Sequence, residues 1–590
     1  MRFLRSYFLF FLLLGLFGVF LIWPICRVLQ VAFWGTGETS KGTGFTLAYL
    51  VGVFQEREFR RGLLNSAIIA VSVTSLATII SLPLALMSVR LNFRGKSLVS
   101  GLLLVPLVLP PFVGAIGMRQ ILGRFGALTS FTHDLGIGHH GTPIDWIGAA
   151  RFLGIIAIET LSLYPILFLN ISASLANLDP ALDQAAANLG ASRWTIFRRV
   201  TLPLIRPGIF AGGTIVLIWS FTELGTPLMF DYDHVTPVQI FARINQVQAN
   251  PLPYALVVVT LTVSILLYLV GKLSLGRGQT AAVTKASVQS TARRLSWVKS
   301  LPVLGCFLVV ILLALTPHVA VILFSVSGVG SWYESALPKV FTAQHYVHAL
   351  SHELVIPSVQ RSVQYASCSV VLDVVLGLTI AWMLVRSKIR GRQILDHLSM
   401  LPLAVPGLVL AFGYLGLSLQ FQSWLGHLSW ISANWPKVFK TVSDLVDVRQ
   451  NPTVLLIVAY AMRRLPYVVR SGVAGLQQTP EDLELAARNL GASKATTLRR
   501  ITVPLISANL IAGGLLAFAF AMLEVSDSLI LAQSTQYWPI TKAIYELFQR
   551  LRDGPYIASA LGVWAMLLLT LTILSANSLL GKKMGAIFRV

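Results

Sequence analysis

The chain has 590 residues, of which 55% are hydrophobic and 12% are charged, and its formal net charge is +22. The apolar majority and the small charged fraction exclude an ordinary soluble globular protein and indicate an integral membrane protein. The basic residues lie in short loops between apolar segments, which is typical of cytoplasmic membrane loops, so no nucleic acid partner is expected.

Twelve apolar segments have the length of about 20 residues that is needed to cross a bilayer. Arg2 and Arg5 precede the first segment, but no small-residue cleavage site follows it, so we expect a retained span. Six segments precede a hydrophilic stretch and six follow it: residues 7–31, 64–89, 98–121, 152–176, 207–230 and 254–273, then 301–326, 359–385, 396–420, 453–475, 507–532 and 556–580.

The hydrophilic stretch between residues 272 and 299 has six basic residues, no acidic residue and no apolar period. This composition predicts a cytoplasmic linker over residues 276–299, which joins a first half (1–275) to a second half (300–590). The positions of the basic loops place the N-terminus and the C-terminus on the cytoplasmic side, with the last basic cluster at Lys582, Lys583 and Arg589.

The halves are related by a parallel duplication, because the pairs Pro106/Pro402 and Pro110/Pro406 share one constant offset. Prolines inside a span should break or kink its helix, and the freed carbonyl groups need neighbouring protein or a water-lined cavity. The sequence therefore predicts that the third and ninth spans line a translocation path.

A polar loop occurs twice, between the fourth and fifth spans and between the tenth and eleventh spans, over residues 178–205 and 478–506. The segment Asn-Leu-Gly-Ala-Ser at residues 188–192 returns at 489–493, each time followed by paired arginines, a Pro-Leu-Ile and an Ala-Gly-Gly. A polar loop supplied in two copies suggests a docking surface for a two-fold partner.

Each loop should contain two short helices with fixed corners. In the second half Thr479 should cap a helix that starts at Pro480 and that Gly491 ends in a left-handed conformation. Ser493 should cap a second short helix that Pro504 ends before the next span. The first half repeats this plan with the residues Asp179, Pro180, Gly190, Ser192 and Pro203.

The two loops resemble the "EAA" coupling loops of ATP-binding-cassette importer permeases, in which a short cytoplasmic helix sits in a groove of each ATPase subunit. The motif's glutamate position is Gln184 in one copy and Leu485 in the other, with Asp183 and Glu484 one residue earlier. The remaining matching positions, including Val503 where the family has leucine, are Ala185, Ala186, Gly190 and Leu202-Pro203, then Ala486, Ala487, Gly491 and Val503-Pro504.

This resemblance implies an all-α integral membrane protein of the MetI-like permease type, with twelve transmembrane helices in two parallel six-helix repeats. It also implies a bacterial inner-membrane location, a cytoplasmic dimer of ATP-binding subunits and a periplasmic solute-binding protein. The segment at residues 94–97 ends like a phosphate-binding loop, but Arg90 occupies the place of its first glycine, so ATP should bind the partner subunit. No cofactor, catalytic set or metal site is expected in this chain; His139 and His140 fit a solvated turn.

Several charged residues lie within predicted spans, where charge is expensive and should face a cavity or an opposite charge. Arg463 and Arg464 lie about 15 Å from the outer end of the tenth span, at about 1.5 Å per residue. They could form a structural ion pair with Asp373, Glu524 or Asp527, or an anion-friendly stretch of the path. We expect the translocation path to include Arg463, Arg464, Asp373, Glu223 and Glu524. Glu223 and Glu524 occupy equivalent positions and could line the outer gate or bond to freed backbone.

The sequence favours the transmembrane subunit of an ATP-driven importer with both halves fused. Among such permeases it most resembles the ferric-iron subfamily, with thiamine, aminophosphonate and polyamine permeases as alternatives. An ion-gradient-driven transporter with two six-span halves is the rival of another class, but it has no need for two matched docking loops. A duplicated channel with plain polar turns would not explain the repeated corners, and we find no convincing set for an intramembrane enzyme.

Overall fold

The structure is a computed structural model that describes residues 2–36, 43–135, 146–247, 250–275, 292–333, 335–427 and 434–580. Three parts of the sequence analysis lie outside the described residues. They are the turn with His139 and His140, residues 276–291 of the linker, and the C-terminal basic cluster.

Ten helices in the described part of the chain are long and apolar enough to cross a membrane. Their spanning portions are Tyr7–Phe33, Arg57–Arg90, Arg151–Ala176, Arg193–Met229, Leu252–Val270, Trp297–Ser325, Val355–Arg386, Gly407–His427, Lys494–Met522 and Gly554–Thr572. The fourth, sixth and twelfth helices extend beyond these limits, as Trp146–Ala176, Leu252–Leu275 and Gly554–Leu580.

The third and tenth spans complete two sets of six. The third span is a bent pair, Lys96–Leu107 and Pro111–Asp134, with an angle of 92° between its parts. The tenth is the 26-residue helix Thr453–Gln478, whose arginines lower its hydropathy. The all-α membrane fold in two six-helix repeats is therefore confirmed.

Prolines interrupt the third and ninth spans as the sequence predicts. The helix Val105–Val108 ends before Pro110, and Pro111 opens the next helix. In the ninth span the helix Arg392–Ala404 ends two residues before Gly407–His427 begins, with Pro406 between them. A proline cannot donate a backbone hydrogen bond and its ring clashes with the preceding turn, which explains both breaks.

Short elements connect the spans at the membrane surfaces. The short α-helices are Ala48–Gln55, Thr236–Ala242, Gln344–Ser351, Pro436–Val446 and Ile540–Phe548, and the 3₁₀ turns are Ile244–Gln246 and Thr535–Tyr537. Strand Trp34–Thr36 pairs antiparallel with Thr43–Phe45. Strand Leu91–Asn92 pairs parallel with Arg293–Arg294, so the end of the linker lies against the end of the second span. The seventh helix begins at Trp297, two residues before the predicted end of the linker at residue 299.

The two halves exchange their first spans. The seventh span packs against Pro111–Leu122 of the third span, and Trp23–Phe33 of the first span packs against the ninth. Equivalent glycines make both crossings close: a Cβ atom at Gly117 would overlap the Pro317 carbonyl oxygen, and one at Gly413 would lie 2.6 Å from the Pro24 Cβ. Small residues let helix backbones approach closely in membranes.

Apolar side chains cover the outer surface of the bundle. Ile79, Leu312 and Val371, on three different spans, are each more than 60% exposed. These side chains face the hydrocarbon of the bilayer, so their exposure costs nothing there. The polar groups of the spans lie inside the bundle, where the two halves meet.

Candidate coupling loops and translocation cavity

The first coupling loop has the predicted corners. The helix Pro180–Asn188 begins after Asp179, whose carboxylate accepts a hydrogen bond from the Ala181 amide at 2.9 Å. Gly190 follows the helix with a φ of +78°, in the left-handed region that favours glycine. The Ser192 hydroxyl then accepts a hydrogen bond from the Thr195 amide at 3.2 Å.

The second coupling loop repeats these corners except for its first cap. Gly491 has a φ of +89°, and Ser493 accepts from the Thr496 amide at 3.1 Å. The predicted capping by Thr479 is wrong, because its hydroxyl donates to the Gly475 carbonyl in the last turn of the tenth span at 3.0 Å. The loop helix begins later, as Asp482–Asn489, with Pro480 before it and no side-chain cap.

The predicted stops at Pro203 and Pro504 are also wrong. The short helices Arg193–Ile196 and Lys494–Thr497 continue through π-helical turns, Phe197–Thr201 and Leu498–Thr502, into the fifth and eleventh spans. In each π turn the amide just before the proline, that of Leu202 or Val503, bonds to the carbonyl five residues back, and the helix continues past the proline. Each coupling loop is thus one short helix and one continuous helix that enters the membrane.

The acidic residue of each loop helix is held by the same chain. Asp183 forms an ion pair with Arg90 at 2.6 Å, and Arg90 also donates to the Thr201 hydroxyl at 2.9 Å. In the second half Glu484 pairs with Arg386 at 3.2 Å, and Arg386 donates to the Thr479 carbonyl at 2.7 Å. Both arginines end the span that precedes the proline-broken span, so each coupling loop is fastened to its own half.

The outward side of each loop remains available to a partner. Gln184 and Leu485, at the position where the motif has glutamate, are exposed, as are Ala185 and Ala486. Ala186 is half-buried and Ala487 is buried. The tips Leu189 and Leu490 are each 89% exposed. Exposed leucines at matched tips are what a docked helix needs to fill an apolar groove.

A central cavity of about 200 Å³ lies between the two halves. Its walls come from equivalent elements of each half: the broken third and ninth spans, the fourth and tenth spans, and the fifth and eleventh spans. Among its lining residues are Pro110, Pro406, Trp219 and Phe520. The third and ninth spans thus lie beside this cavity, where a translocation path would require them.

Glu223 and Glu524 both line the cavity and both lie where a helix is interrupted. Leu202–Phe221 stops shortly before Glu223, and Gly225–Met229 resumes the span; in the second half Glu524 lies between Val503–Met522 and Ser526–Leu531. The Glu223 carboxylate accepts from the Thr226 amide at 3.3 Å. One role weighed from the sequence, bonding to freed backbone, therefore has a direct counterpart at Glu223.

The two intramembrane arginines are engaged by acidic side chains of the eleventh span and the short helix after it. Arg463 contacts Glu524, and it contacts Asp527 at 3.4 Å; Arg464 contacts Glu524. Glu524 and Asp527 are 5% and 0% exposed. The structural ion pair weighed from the sequence is present. The predicted place of Asp373 on the path is wrong, because Asp373 is buried on the eighth span and does not line the cavity. Its carboxylate has no hydrogen-bond partner within the described residues.

Sequence reasoning missed Glu159, which lines the cavity from the fourth span. It is 1% exposed; one carboxylate oxygen accepts from the Ser220 hydroxyl, and the other has no hydrogen-bond partner within the described residues. A single acid in an otherwise apolar span was the available signal. Its equivalent in the second half is Tyr460, so a comparison of the two halves reveals no matched pair of acidic residues at this position.

The charges of the cavity are therefore divided unequally. In the part of the chain that the structure describes, no lysine or arginine nitrogen lies within 4.0 Å of the Glu159 or Glu223 carboxylate. The cationic side chains at the cavity, Arg463 and Arg464, are matched by Glu524 and Asp527. Within the same residues there is no group of three or more His, Cys, Asp or Glu side chains that could hold a metal ion.

A duplicated bundle with a docking loop in each half and a charged cavity between the halves defines a membrane transport permease. The family model of the binding-protein-dependent transport system inner membrane component matches residues 77–277 and 373–584. The chain belongs to this family and contains its domain twice. It is a multi-pass permease subunit of the inner membrane, and its homologues are permease subunits that are not enzymes themselves. Membership implies an ATP-binding subunit and a periplasmic binding protein.

The names of several relatives state a transported solute. The chain is 26% identical over 575 residues to the ferric transport system permease protein FbpB of Actinobacillus pleuropneumoniae, across 95% of this chain and 76% of that protein. It is 35% identical over 169 residues to the molybdenum transport system permease protein ModB of Haemophilus influenzae, across 28% of this chain and 69% of that protein. The predicted resemblance to ferric transport permeases is confirmed.

One similar solved structure is a bacterial ABC transporter involved in the import of the acidic polysaccharide alginate. The similarity covers 46% of this chain and 96% of that chain, with 20% sequence identity and a TM-score of 0.39.

Proposed function

We propose that this chain passes ferric iron from a periplasmic binding protein to the cytoplasm, driven by ATP hydrolysis on a dimer of separate subunits. The long relatives support this cargo, because two of them, from A. pleuropneumoniae and H. influenzae, carry ferric transport names over 95% and 87% of this chain. The molybdenum permease matches only 28% of it.

The observation that carries the cargo proposal is the charge of the central cavity. Arg463 and Arg464 are occupied by Glu524 and Asp527, so they offer no free positive charge to an oxyanion such as molybdate. Glu159 and Glu223 face the same cavity, and within the described part of the chain no lysine or arginine nitrogen lies within 4.0 Å of their carboxyl groups. Carboxylate oxygens are ligands for hard metal cations, and a low-dielectric cavity strengthens that attraction.

The coupling loops support ATP as the energy source. Each loop joins a helix with an exposed leucine tip to a helix that runs without interruption into a cavity-lining span. A partner subunit that moved Leu189 and Leu490 together would therefore move the fifth and eleventh spans, and with them Glu223 and Glu524. In this proposal ATP binds only the partner, the chain carries no cofactor, both termini are cytoplasmic, and the halves are residues 1–275 and 300–590.

The test is reconstitution of the chain in vesicles with the ATP-binding and solute-binding proteins of neighbouring reading frames. We expect uptake of radioactive ferric iron that requires ATP and that persists when an ionophore collapses ion gradients. Uptake that follows the gradient and ignores ATP would instead establish a secondary transporter.

Competition separates the possible cargoes in the same assay. Excess molybdate, thiamine, aminophosphonate and spermidine should leave ATP-dependent iron uptake unchanged. Stimulation of ATP hydrolysis by one of these solutes with its own binding protein, and not by iron, would overturn the iron proposal while leaving the importer intact.

A further inference from the structure

A second large cavity, which we call the basic pocket, lies beside the second coupling loop. Its volume is about 520 Å³. Three elements form its walls: the start of the first span with Tyr7 and Leu9, the end of the eighth span with residues 378–389, and the second coupling loop from Glu484 to Thr502. It is separate from the central cavity, with which it shares no lining residue.

The rim of the basic pocket has an excess of positive charge. Its cationic residues are Arg386, Lys388, Arg488 and Lys494, and its acidic residue is Glu484, which is occupied by Arg386. Lys388, Arg488 and Lys494 are exposed, and the described residues place no carboxylate within 4.0 Å of their charged nitrogens. Three uncompensated cations around one cavity fit an anionic group with several oxygen acceptors.

The floor of the basic pocket reaches into the membrane. Leu378 precedes Arg386 by two helical turns, which places it about 12 Å deeper at about 1.5 Å per residue. Leu9 belongs to the first span, and Trp382 lies between this depth and the basic rim. Tryptophan is enriched at the level of lipid headgroups, where its ring is apolar and its N–H is polar.

An apolar floor below a basic rim matches a phospholipid better than a soluble protein. A docked ATP-binding subunit would reach the exposed tip around Leu490, whereas Leu378, Thr379 and Trp382 place the floor of the pocket against the eighth span. A phosphate headgroup at the rim would leave the start of an acyl chain beside Leu378 and Leu9. Basic pockets between spans on the cytoplasmic side are known to bind anionic headgroups.

The first half provides a natural control, because it lacks two of the three free cations. At the positions equivalent to Lys388 and Arg488 it has Asn92 and Ala187, while Arg193 takes the place of Lys494. The excess charge is therefore a property of the second loop and not of coupling loops in general. It does not follow from the duplicated motif.

We propose that the basic pocket binds the headgroup of an anionic phospholipid of the inner leaflet, held by Lys388, Arg488 and Lys494. This inference rests on the proposed cytoplasmic position of the coupling loops, and it is independent of the cargo. The bound headgroup would bridge the end of the eighth span to the second coupling loop, so the lipid would stiffen one of the two loops selectively.

The test uses the full chain in nanodiscs of phosphatidylglycerol and phosphatidylcholine, with and without its ATP-binding subunits. Native mass spectrometry after release from the discs measures the lipid retained. The variant Lys388→Gln/Arg488→Gln should retain phosphatidylglycerol about 30-fold less tightly, as the loss of two headgroup contacts predicts. Arg193→Gln in the first loop is the matched control and should retain it normally.

Three results would overturn the proposal. The first is that the double variant and the wild type retain phosphatidylglycerol equally, and the second is that the wild type retains phosphatidylcholine as well as phosphatidylglycerol. The third is that millimolar inorganic phosphate releases the lipid. Loss of retention only when the ATP-binding subunits are present would assign the surface to that partner instead. All the substituted side chains are exposed, and equal thermal unfolding of the variants would confirm that they fold. Iron uptake is not measured, so failure here leaves the proposed cargo untouched.

Discussion

At the scale of single residues, equivalent positions of the two halves have taken different partners. Glu223 and Glu524 occupy the same helix interruption, yet Glu524 binds two arginines and Glu223 binds backbone. The difference arises because Arg463 and Arg464 correspond to Ser162 and Leu163 in the first half. The duplication thus keeps a glutamate in both halves, but the glutamate pairs with arginines only in the second half.

Glu524→Gln should therefore destabilise the protein much more than Glu223→Gln. The first change leaves Arg464 buried without an anion, which costs about 3–5 kcal/mol. The second keeps a side-chain oxygen for the Thr226 amide and removes no ion pair, so it should cost about 1 kcal/mol. Unfolding of both variants in the same detergent or nanodisc measures the difference. Equal stability would contradict the ion-pair arrangement.

Glu159→Gln and Glu223→Gln should reduce iron uptake without unfolding the chain. Each removes one carboxyl group that could bind a cation in the cavity, and a loss of about 1.4 kcal/mol of cation affinity corresponds to about tenfold. Uptake by the reconstituted importer at limiting iron is the measurement. Asp373→Asn is the control, since Asp373 is as buried as Glu159 but lies outside the cavity. A similar loss in that control would attribute the effect to buried acids in general.

At the scale of elements, the sequence predicted the spans and most loop corners but not how the elements join. Asp179, Gly190 and Ser192 act locally, through hydrogen bonds or backbone angles within a few residues, and they behave as predicted. The predictions for Thr479 and Pro504 failed because neighbouring helices set their surroundings. The Thr479 hydroxyl bonds back to the last turn of the tenth span, and the helix before Pro504 continues through a π turn. Sequence rules that act within a few residues could not predict either arrangement.

Arg386→Gln should impair the second coupling loop more than Arg90→Gln impairs the first. The Arg386–Glu484 pair has side chains 8% and 12% exposed, while those of Arg90–Asp183 are 39% and 34% exposed. Leaving a buried acid unpaired costs about 3 kcal/mol, whereas an exposed pair contributes at most about 1 kcal/mol. Stimulation of ATP hydrolysis by the loaded binding protein reports this coupling. An equal decrease in both variants would show that the contribution of each ion pair to coupling does not depend on its burial.

At the scale of the whole molecule, the exchange of first spans makes the two halves one folding unit. The contacts between Gly117 and Pro317 and between Gly413 and Pro24 connect residues about 200 and 389 positions apart, so no sequence pattern of spans and loops reveals them. The central cavity depends on the same exchange, since its walls come from both halves. Glu159 and Glu524 can face one cavity only because the halves are held together across this interface.

Cleavage of the linker should therefore leave the permease assembled. A protease site placed between residues 280 and 285 would cut the covalent connection, but the crossed first spans would still bury each half against the other. We expect the two fragments to co-elute in size-exclusion chromatography and to retain ATP-dependent uptake.

The glycine contacts supply the control for that experiment. In a Gly117→Val/Gly413→Val background the added side chains would overlap Pro317 and Pro24, forcing both crossings apart. The uncut variant stays joined by the linker, whereas after cleavage its fragments should elute separately. Separation of the cleaved wild type would mean that the linker, and not the exchanged spans, holds the halves around the cavity. Co-elution of the cleaved double variant would mean that contacts other than these crossings suffice, and the glycines would then serve local packing alone.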